Sequence, residues 1–238
     1  MPFTTISRSD FQARPPRRTR ATPTPRATPT PAALEWWVDT DSCRAQSQDR
    51  AAAWQVAGGL VVAVADGVGG MGGGARAASL AVARVGTIVQ KAVDLPDGGR
   101  RVARLLADLD PDVEVDLDSG ETTAVVVAVS RQGLSGASCG DSAAWFVSGD
   151  SVDELTEYQH RKRRVGSGLA IPVVFERPLR SGWLVVGTDG LFDHVRRETI
   201  IQILMSAPTH PARSLVDAAR GPRAQLPDEA SVVVVRVG

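Results

Sequence analysis

Cysteine is nearly absent from this sequence. The 238 residues include only Cys43 and Cys139, and two such residues form neither a zinc-finger motif nor a disulfide framework. Their scarcity is typical of a reducing compartment, so we expect a cytoplasmic protein. The sequence also lacks an apolar run near the roughly 20 residues that span a bilayer, and its N-terminus lacks the apolar core of a signal peptide. We therefore expect no membrane association.

Net charge is also absent, because 27 basic residues balance 27 acidic ones. This balance excludes a nucleic-acid-binding protein that works by bulk positive charge. Lysine is rare as well, with only Lys91 and Lys162, so nearly all positive charge comes from arginine. The hydrophobic fraction of 43% is sufficient for one sizeable domain with its own core, or at most two small ones.

Residues 1–34 contain too few large apolar residues to form a core. They hold seven of the 15 prolines and four Thr-Pro pairs. Dense proline blocks helix and sheet, so we predict a disordered, polyproline-like tail ahead of a folded domain at residues 35–238. A plain solvated extension, a phosphorylated or partner-docking segment and a transit peptide all remain compatible with this composition.

One stretch organises the remainder of the chain. The apolar residues 60–65 run directly into Asp66 and Gly67, and a glycine-rich turn follows. This pattern predicts a buried strand that holds Asp66 at its end, where Gly67 leaves room for a ligand beside the backbone. Carboxylate and carbonyl oxygens suit Mg²⁺ or Mn²⁺. An ordinary hairpin turn can begin in the same way, so this stretch alone leaves both interpretations open.

The same design recurs along the chain. Four further aspartates stand beside predicted strands: Asp49, Asp141, Asp189 and Asp228. If the last strand runs antiparallel to the others, Asp228 lies at the same sheet edge as Asp66 and Asp189. Carboxylates that are crowded together repel one another, and divalent cations are the usual remedy. Because no histidine occurs at these positions, the oxygen-only set favours Mg²⁺ or Mn²⁺ over Zn²⁺.

Between residues 120 and 147 the predicted strands follow one another without intervening helices, which favours antiparallel sheet. Strands are predicted at residues 53–57, 60–65, 120–129, 134–139, 145–147 and 182–187, and after Asp228; helices are predicted at 73–92, 97–108, 197–206 and 211–220. The acidic segment 110–118 is interpreted as a solvated loop, with calcium binding left open. The basic segment 157–170 is interpreted as a mobile loop.

Six motifs, in order, resemble those of the metal-dependent protein phosphatase family, the protein phosphatase 2C-like enzymes. They are Arg44-x-x-Ser-Gln-Asp49, Ala65-Asp66-Gly67-Val-Gly-Gly70, Gly120-Glu-Thr-Thr-Ala124, Cys139-Gly-Asp141-Ser142, Thr188-Asp189-Gly190-Leu-Phe-Asp193 and Asp228-Glu-Ala-Ser-Val232. Together they cover nearly all of residues 40–237. The resemblance implies an α+β fold in which two packed antiparallel β-sheets are flanked by α-helices, with metals at one end of the sandwich.

The resemblance also implies an activity. A serine/threonine protein phosphatase of the bacterial type would use a metal-activated water to hydrolyse phosphoserine or phosphothreonine esters. Two Mn²⁺ or Mg²⁺ ions are implied, with a possible third. The implied metal-binding residues are Asp49, Asp66, Gly67, Asp141, Asp189 and Asp228. Asp66 would bridge the two core ions, and Arg44 would bind the phosphate of the substrate as a bidentate donor.

The implied partners are phosphorylated proteins, a Ser/Thr kinase or its targets, and we expect a monomer. Two alternatives use the same residues: a catalytically weak or inactive phosphatase-like module that binds phosphoproteins, and a phosphatase of small molecules. Several features depart from the family pattern, and two of them lie close to the implied metals or substrate. Glu229 stands beside Asp228 where Asn is common, which adds a charge near the metals. The segment between Asp141 and Asp189 is short, so we expect a reduced substrate flap.

Overall fold

The structure is a computed structural model that describes residues 34–44, 47–69, 73–91, 98–116, 118–221 and 224–238. The predicted tail lies outside these residues except for Leu34, where the first strand begins. That strand therefore starts one residue before the predicted domain boundary.

Twelve strands and five helices make up the described part of the chain. The strands are β1 (Leu34–Asp41), β2 (Arg50–Val56), β3 (Gly59–Ala65), β4 (Gly67–Val68), β5 (Glu121–Thr122), β6 (Ala124–Ser130), β7 (Gly133–Cys139), β8 (Ala143–Ser148), β9 (Ser151–Glu154), β10 (Val173–Arg177), β11 (Gly182–Gly187) and β12 (Ala230–Val237). The helices are α1 (Gly73–Lys91), α2 (Gly99–Glu114), α3 (Asp189–Phe192), α4 (Arg197–Met205) and α5 (Pro211–Ala218).

The strands form two five-stranded sheets and one short ribbon. One sheet has the order β10-β7-β6-β3-β2, the other has the order β1-β12-β11-β8-β9, and β4 pairs with β5. All of these pairings are antiparallel. The α+β architecture of two antiparallel sheets with flanking helices, which the sequence resemblance implied, is confirmed.

Successive side chains of β3 point to opposite faces of its sheet and pack against different layers of the fold. Val61 and Ala63 pack with α1 and α2, whereas Leu60, Val62 and Val64 face the second sheet. A third apolar cluster joins the outer face of the second sheet to α3, α4 and α5. Buried on both faces, the central strands read as continuous apolar runs, and each fully buried valine or leucine contributes about 1.5–3 kcal/mol.

Several local predictions need correction. Helix α2 ends at Glu114, so residues 110–114 of the predicted acidic loop are helical, and Asp110 is buried rather than solvated. The predicted strand at 120–129 is divided into β5 and β6. Strands β1, β4, β9 and β10 and the short helix α3 were not predicted from the sequence. The other predicted helices and strands are present, with small shifts at their ends.

Candidate metal centre

Antiparallel register brings the aspartate-bearing strand ends to one edge of the sandwich. Arg50, at the start of β2, is paired with Ala65, at the end of β3. Gly187, at the end of β11, is paired with Val232 near the start of β12 and with Ala143 at the start of β8. Five aspartates lie just beyond these pairs: Asp49, Asp66, Asp141, Asp189 and Asp228.

Three of these aspartates form a compact group. Asp66, Asp141 and Asp189 each offer a carboxylate oxygen, and the three oxygens lie within 4.8 Å of one another. Burial, together with the charges of Asp141 and Asp228, raises the pKa of Asp189. Burial also raises the pKa of Asp66, with the same charges and that of Asp189 adding to the effect. The group therefore concentrates negative charge that a bound cation would neutralise.

The backbone of Asp66 is fixed by two threonines from β5 and the residue after it. The Thr123 hydroxyl accepts a hydrogen bond from the Asp66 amide at 2.8 Å, and the Thr122 hydroxyl donates to the Asp66 carbonyl at 2.9 Å. The Thr123 amide donates to the same carbonyl. Ser142 holds the Thr123 hydroxyl in turn, at 2.6 Å. These contacts place the Asp66 carboxylate without using either of its oxygens.

Asp49 joins the group from the start of β2. Its carboxyl and that of Asp66 are close enough to shift each other's pKa. The buried Thr188 hydroxyl donates to Asp49 Oδ2 at 2.8 Å and accepts from the Ser231 amide at 3.0 Å. Burial, followed by the charge of Asp66, raises the pKa of Asp49. In the described residues, no lysine or arginine forms an ion pair with Asp49, Asp66 or Asp189.

Gly67 lies where two backbones approach very closely. A Cβ on Gly67 would stand 2.1 Å from the Gly74 carbonyl oxygen and 2.9 Å from that of Gln48. A Cβ on Gly74 would stand 2.6 Å from the Gly67 carbonyl oxygen. Only glycine fits at either position, so the first turn of α1 packs directly on the backbone that follows Asp66. Metal binding by the Gly67 carbonyl stays a prediction.

Two arginines flank the aspartates. Arg44 Nη2 lies 3.6 Å from Asp228 Oδ1, and Arg164 Nη2 lies 3.4 Å from Asp141 Oδ2. Asp228 lies outside the compact group of three, although its charge is close enough to raise the pKa values of Asp66 and Asp189. The structure thus brings Arg44 and all five predicted aspartates to one edge.

Glu229 is buried beside Asp228, with its side chain 2% exposed. Its Oε1 accepts hydrogen bonds from the Ser42 hydroxyl at 3.0 Å and from Arg44 Nη1 at 3.2 Å. Its Oε2 accepts from the Ser47 hydroxyl at 3.0 Å and from the amides of Gln48 at 2.6 Å and Asp49 at 3.2 Å. Burial alone would raise the pKa of Glu229, but these donors lower it overall. Five hydrogen-bond donors therefore stabilise the negative charge that Glu229 adds to the site.

Sequence reasoning missed the supporting roles of Thr123, Thr188, Glu229 and Arg164. Three of them stand inside motifs that the sequence analysis identified, so their neighbourhood was visible, but their partners are distant in sequence. The Glu229–Ser47 contact, for example, spans 182 residues. Arg164 stands in the predicted basic loop, where nothing in the sequence indicated a contact with Asp141.

The donor set suits hard divalent cations. It consists of carboxylates and, in the immediate neighbourhood, hydroxyl and carbonyl oxygens, which Mg²⁺ and Mn²⁺ prefer. Raised pKa values at Asp49, Asp66 and Asp189 indicate that protein cations do not compensate this charge. The residues therefore fit the metals that the sequence predicted. None of the helices in the described ranges is both long and apolar enough to cross a membrane.

Solved structures with the same architecture include bacterial serine/threonine phosphatases. The serine/threonine phosphatase of S. agalactiae superposes with a TM-score of 0.76 at 20% identity, covering 87% of this chain and 100% of that one. Mycobacterium tuberculosis PstP/Ppp gives 0.70 at 22% identity, covering 86% and 98%. The PstP catalytic domain in complex with two manganese ions gives 0.70 at 22% identity, covering 87% and 99%.

Comparison of the sequence alone finds no relative, since neither a family model nor a curated protein matches this chain. Structural similarity covers most of the chain and nearly all of each phosphatase domain. The chain therefore has the fold of the bacterial serine/threonine phosphatases.

Proposed function

We propose that this protein is a Mn²⁺- or Mg²⁺-dependent phosphatase that hydrolyses phosphoserine and phosphothreonine in proteins. The observation that carries the proposal is the group formed by Asp66, Asp141 and Asp189, which lies at one edge of a phosphatase fold. A structural relative, the PstP catalytic domain, was solved with two manganese ions. We further propose that the protein acts as a cytoplasmic monomer and opposes a bacterial Ser/Thr kinase.

Each residue has a role in this proposal. Asp66, Asp189 and Asp228, with the Gly67 carbonyl, would hold two core cations, and Asp141 would contribute to a third. Divalent cations at such a site lower the pKa of bound water and offset charge on phosphoryl oxygens. Asp49 would orient water, with Thr188 fixing its carboxylate. Arg44, which is 51% exposed, would bind the phosphate of the substrate through its guanidinium.

Hydrolysis of a phosphothreonine peptide tests the proposal. We expect the full-length protein to turn over the peptide with Mn²⁺ or Mg²⁺ and to stop in EDTA. Asp66→Asn should lower kcat/KM by at least about 100-fold, more than the loss typical of a residue that only supports a ligand. Asp150→Asn is the matched control, because Asp150 is an exposed aspartate in the turn between β8 and β9.

Either of two outcomes would contradict the proposal. Absence of turnover from the folded protein with either metal would overturn it. If the phosphopeptide then binds without turnover, the phosphatase-like binding module replaces it. Hydrolysis of small phosphate esters with no activity on phosphopeptides would favour a small-molecule phosphatase instead.

A further inference from the structure

The segment between β1 and β2 is anchored to a single carboxylate. Ser42 and Arg44 donate to Oε1 of Glu229, whereas Ser47, Gln48 and Asp49 donate to Oε2. One buried side chain therefore joins the two ends of the segment that carries Arg44 and Asp49. Because both carboxylate oxygens are engaged by protein donors, Glu229 is not itself suited to bind a metal.

The backbone of Glu229 is as constrained as its side chain. A Cβ on Gly190 would stand 1.7 Å from the Glu229 carbonyl oxygen, so the first turn of α3 lies directly against this residue. Asp189 opens that turn, and Asp228 directly precedes Glu229. Glu229 therefore ties the Arg44 segment to the same backbone that positions two of the candidate metal ligands.

Neither asparagine nor glutamine could replace the Glu229 carboxylate. Asparagine is one methylene shorter and has one acceptor oxygen, so it cannot reach both ends of the segment. Glutamine has the length, but its NH₂ group would face donors such as the Gln48 amide.

The anchor leaves part of the Arg44 guanidinium available. Its Nη1 donates to Glu229 Oε1 and, at 3.3 Å, to Gln48 Oε1. Within the described ranges, its Nε and Nη2 donate no hydrogen bond, and Nη2 stands at the Asp228 edge of the aspartates. A guanidinium that is held at Nη1, with Nη2 ion-paired to Asp228 at 3.6 Å, is oriented to present its Nε and Nη2 edge to a phosphate.

We propose that Glu229 is a positioning residue, which acts through Arg44 to orient the guanidinium for the phosphate of the substrate. The inference rests on the proposed function for the identity of that anion. It predicts that loss of the Glu229 charge weakens phosphate binding because Arg44 loses its buried anionic partner, and not because a metal ligand is lost.

A double-mutant cycle on phosphate affinity tests this inference. Inorganic phosphate would be titrated calorimetrically into the full-length protein with saturating Mg²⁺, for the wild type, Glu229→Gln, Arg44→Ala and the double variant. We expect Glu229→Gln to weaken binding about 10- to 100-fold. In the Arg44→Ala background, the same change should have almost no further effect.

Two further variants keep the result interpretable. Glu176→Gln is the matched control, because Glu176 also accepts a backbone amide, that of Gly99, but from β10; its phosphate affinity should equal that of the wild type. If Glu229→Gln fails to fold, Ser42→Ala takes its place. It removes one donor to Oε1 and should weaken phosphate binding about threefold.

Two results would overturn the inference. One is an equal loss from Glu229→Gln with and without Arg44, and the other is unchanged affinity in a folded Glu229→Gln or Ser42→Ala variant. Hydrolysis separates this inference from the proposed function. A wild type that binds phosphate through Glu229 and Arg44 but hydrolyses nothing would refute only the proposed function. An active enzyme whose phosphate affinity ignores Glu229 would refute only this inference.

Discussion

At the scale of single residues, the folded protein disfavours the ionised form of three aspartates in the site. The pKa values of Asp49, Asp66 and Asp189 are raised mainly by burial, with neighbouring negative charge adding to the effect. In the metal-free protein these groups retain protons that the unfolded chain has already released near pH 4. The folded state therefore binds more protons than the unfolded state above that pH.

This difference fixes the sign of the pH dependence. Between about pH 5 and about pH 8, we expect the melting temperature of the metal-free protein to fall as pH rises. Glu229, whose pKa is lowered, contributes in the opposite sense only in more acidic solution. Saturating Mn²⁺ should raise the melting temperature most at the upper end of this range, because protons compete with the cation.

Thermal unfolding across this range, with EDTA and with Mn²⁺, is the measurement. Asp66→Asn should flatten the slope of the metal-free protein, and Asp150→Asn should leave it unchanged. Stability that rises with pH in EDTA would show that these carboxylates are not strained by burial and mutual repulsion.

Residue identities in the site were largely predictable, and their partners were not. Asp66 and Asp189 were visible because each ends an apolar run with an Asp-Gly pair. Thr188 and Glu229 gave no such signal, because a hydroxyl or carboxylate acquires a role only from donors and acceptors that folding brings close. Thr188 meets Asp49 across 139 residues.

At the scale of elements, Asp110 lies in the part of α2 that was predicted to be a solvated loop, and its side chain is buried. It is 7% exposed and accepts the amides of Gly166 at 2.6 Å, Gly168 at 3.2 Å and Ala170 at 3.0 Å. The Val165 amide and carbonyl pair with Thr122 of β5. The segment that the sequence presented as a loose basic loop is therefore tied to a helix and to a strand.

We predict that Asp110→Asn loosens this segment. The amide keeps one acceptor oxygen and places an NH₂ group against backbone donors, which should cost about 1–3 kcal/mol of unfolding free energy. Limited trypsin digestion reports the change directly, because the segment holds Arg161, Lys162, Arg163 and Arg164. Cleavage there should accelerate in the variant.

Asp112→Asn is the matched control, because Asp112 lies on the same helix and its side chain is half exposed. Equal cleavage rates for the wild type, Asp112→Asn and Asp110→Asn would show that Asp110 does not restrain the segment. The last turn of α2 was not predicted because Pro111 and the surrounding acids are typical of loops. Strands β9 and β10 were not predicted because they are short and carry polar residues.

At the scale of the whole molecule, the sandwich was predictable through resemblance rather than through pattern alone. Short apolar runs located most strands. The order β1-β12-β11-β8-β9, however, joins the first strand to the last, and local pattern contains no information about such a pairing. The aspartates predicted only that several strand ends meet at one edge, because their motifs make chemical sense together. The antiparallel pairing of the strands brings these aspartates together.

Direct titration of Mn²⁺ into the metal-free full-length protein tests the central claim, that this edge is a metal centre. We predict saturable binding by the wild type and by Asp150→Asn, with affinity at least about 100-fold weaker in Asp66→Asn. Equal binding by the wild type and a folded Asp66→Asn variant, or no binding by the wild type, would contradict the account.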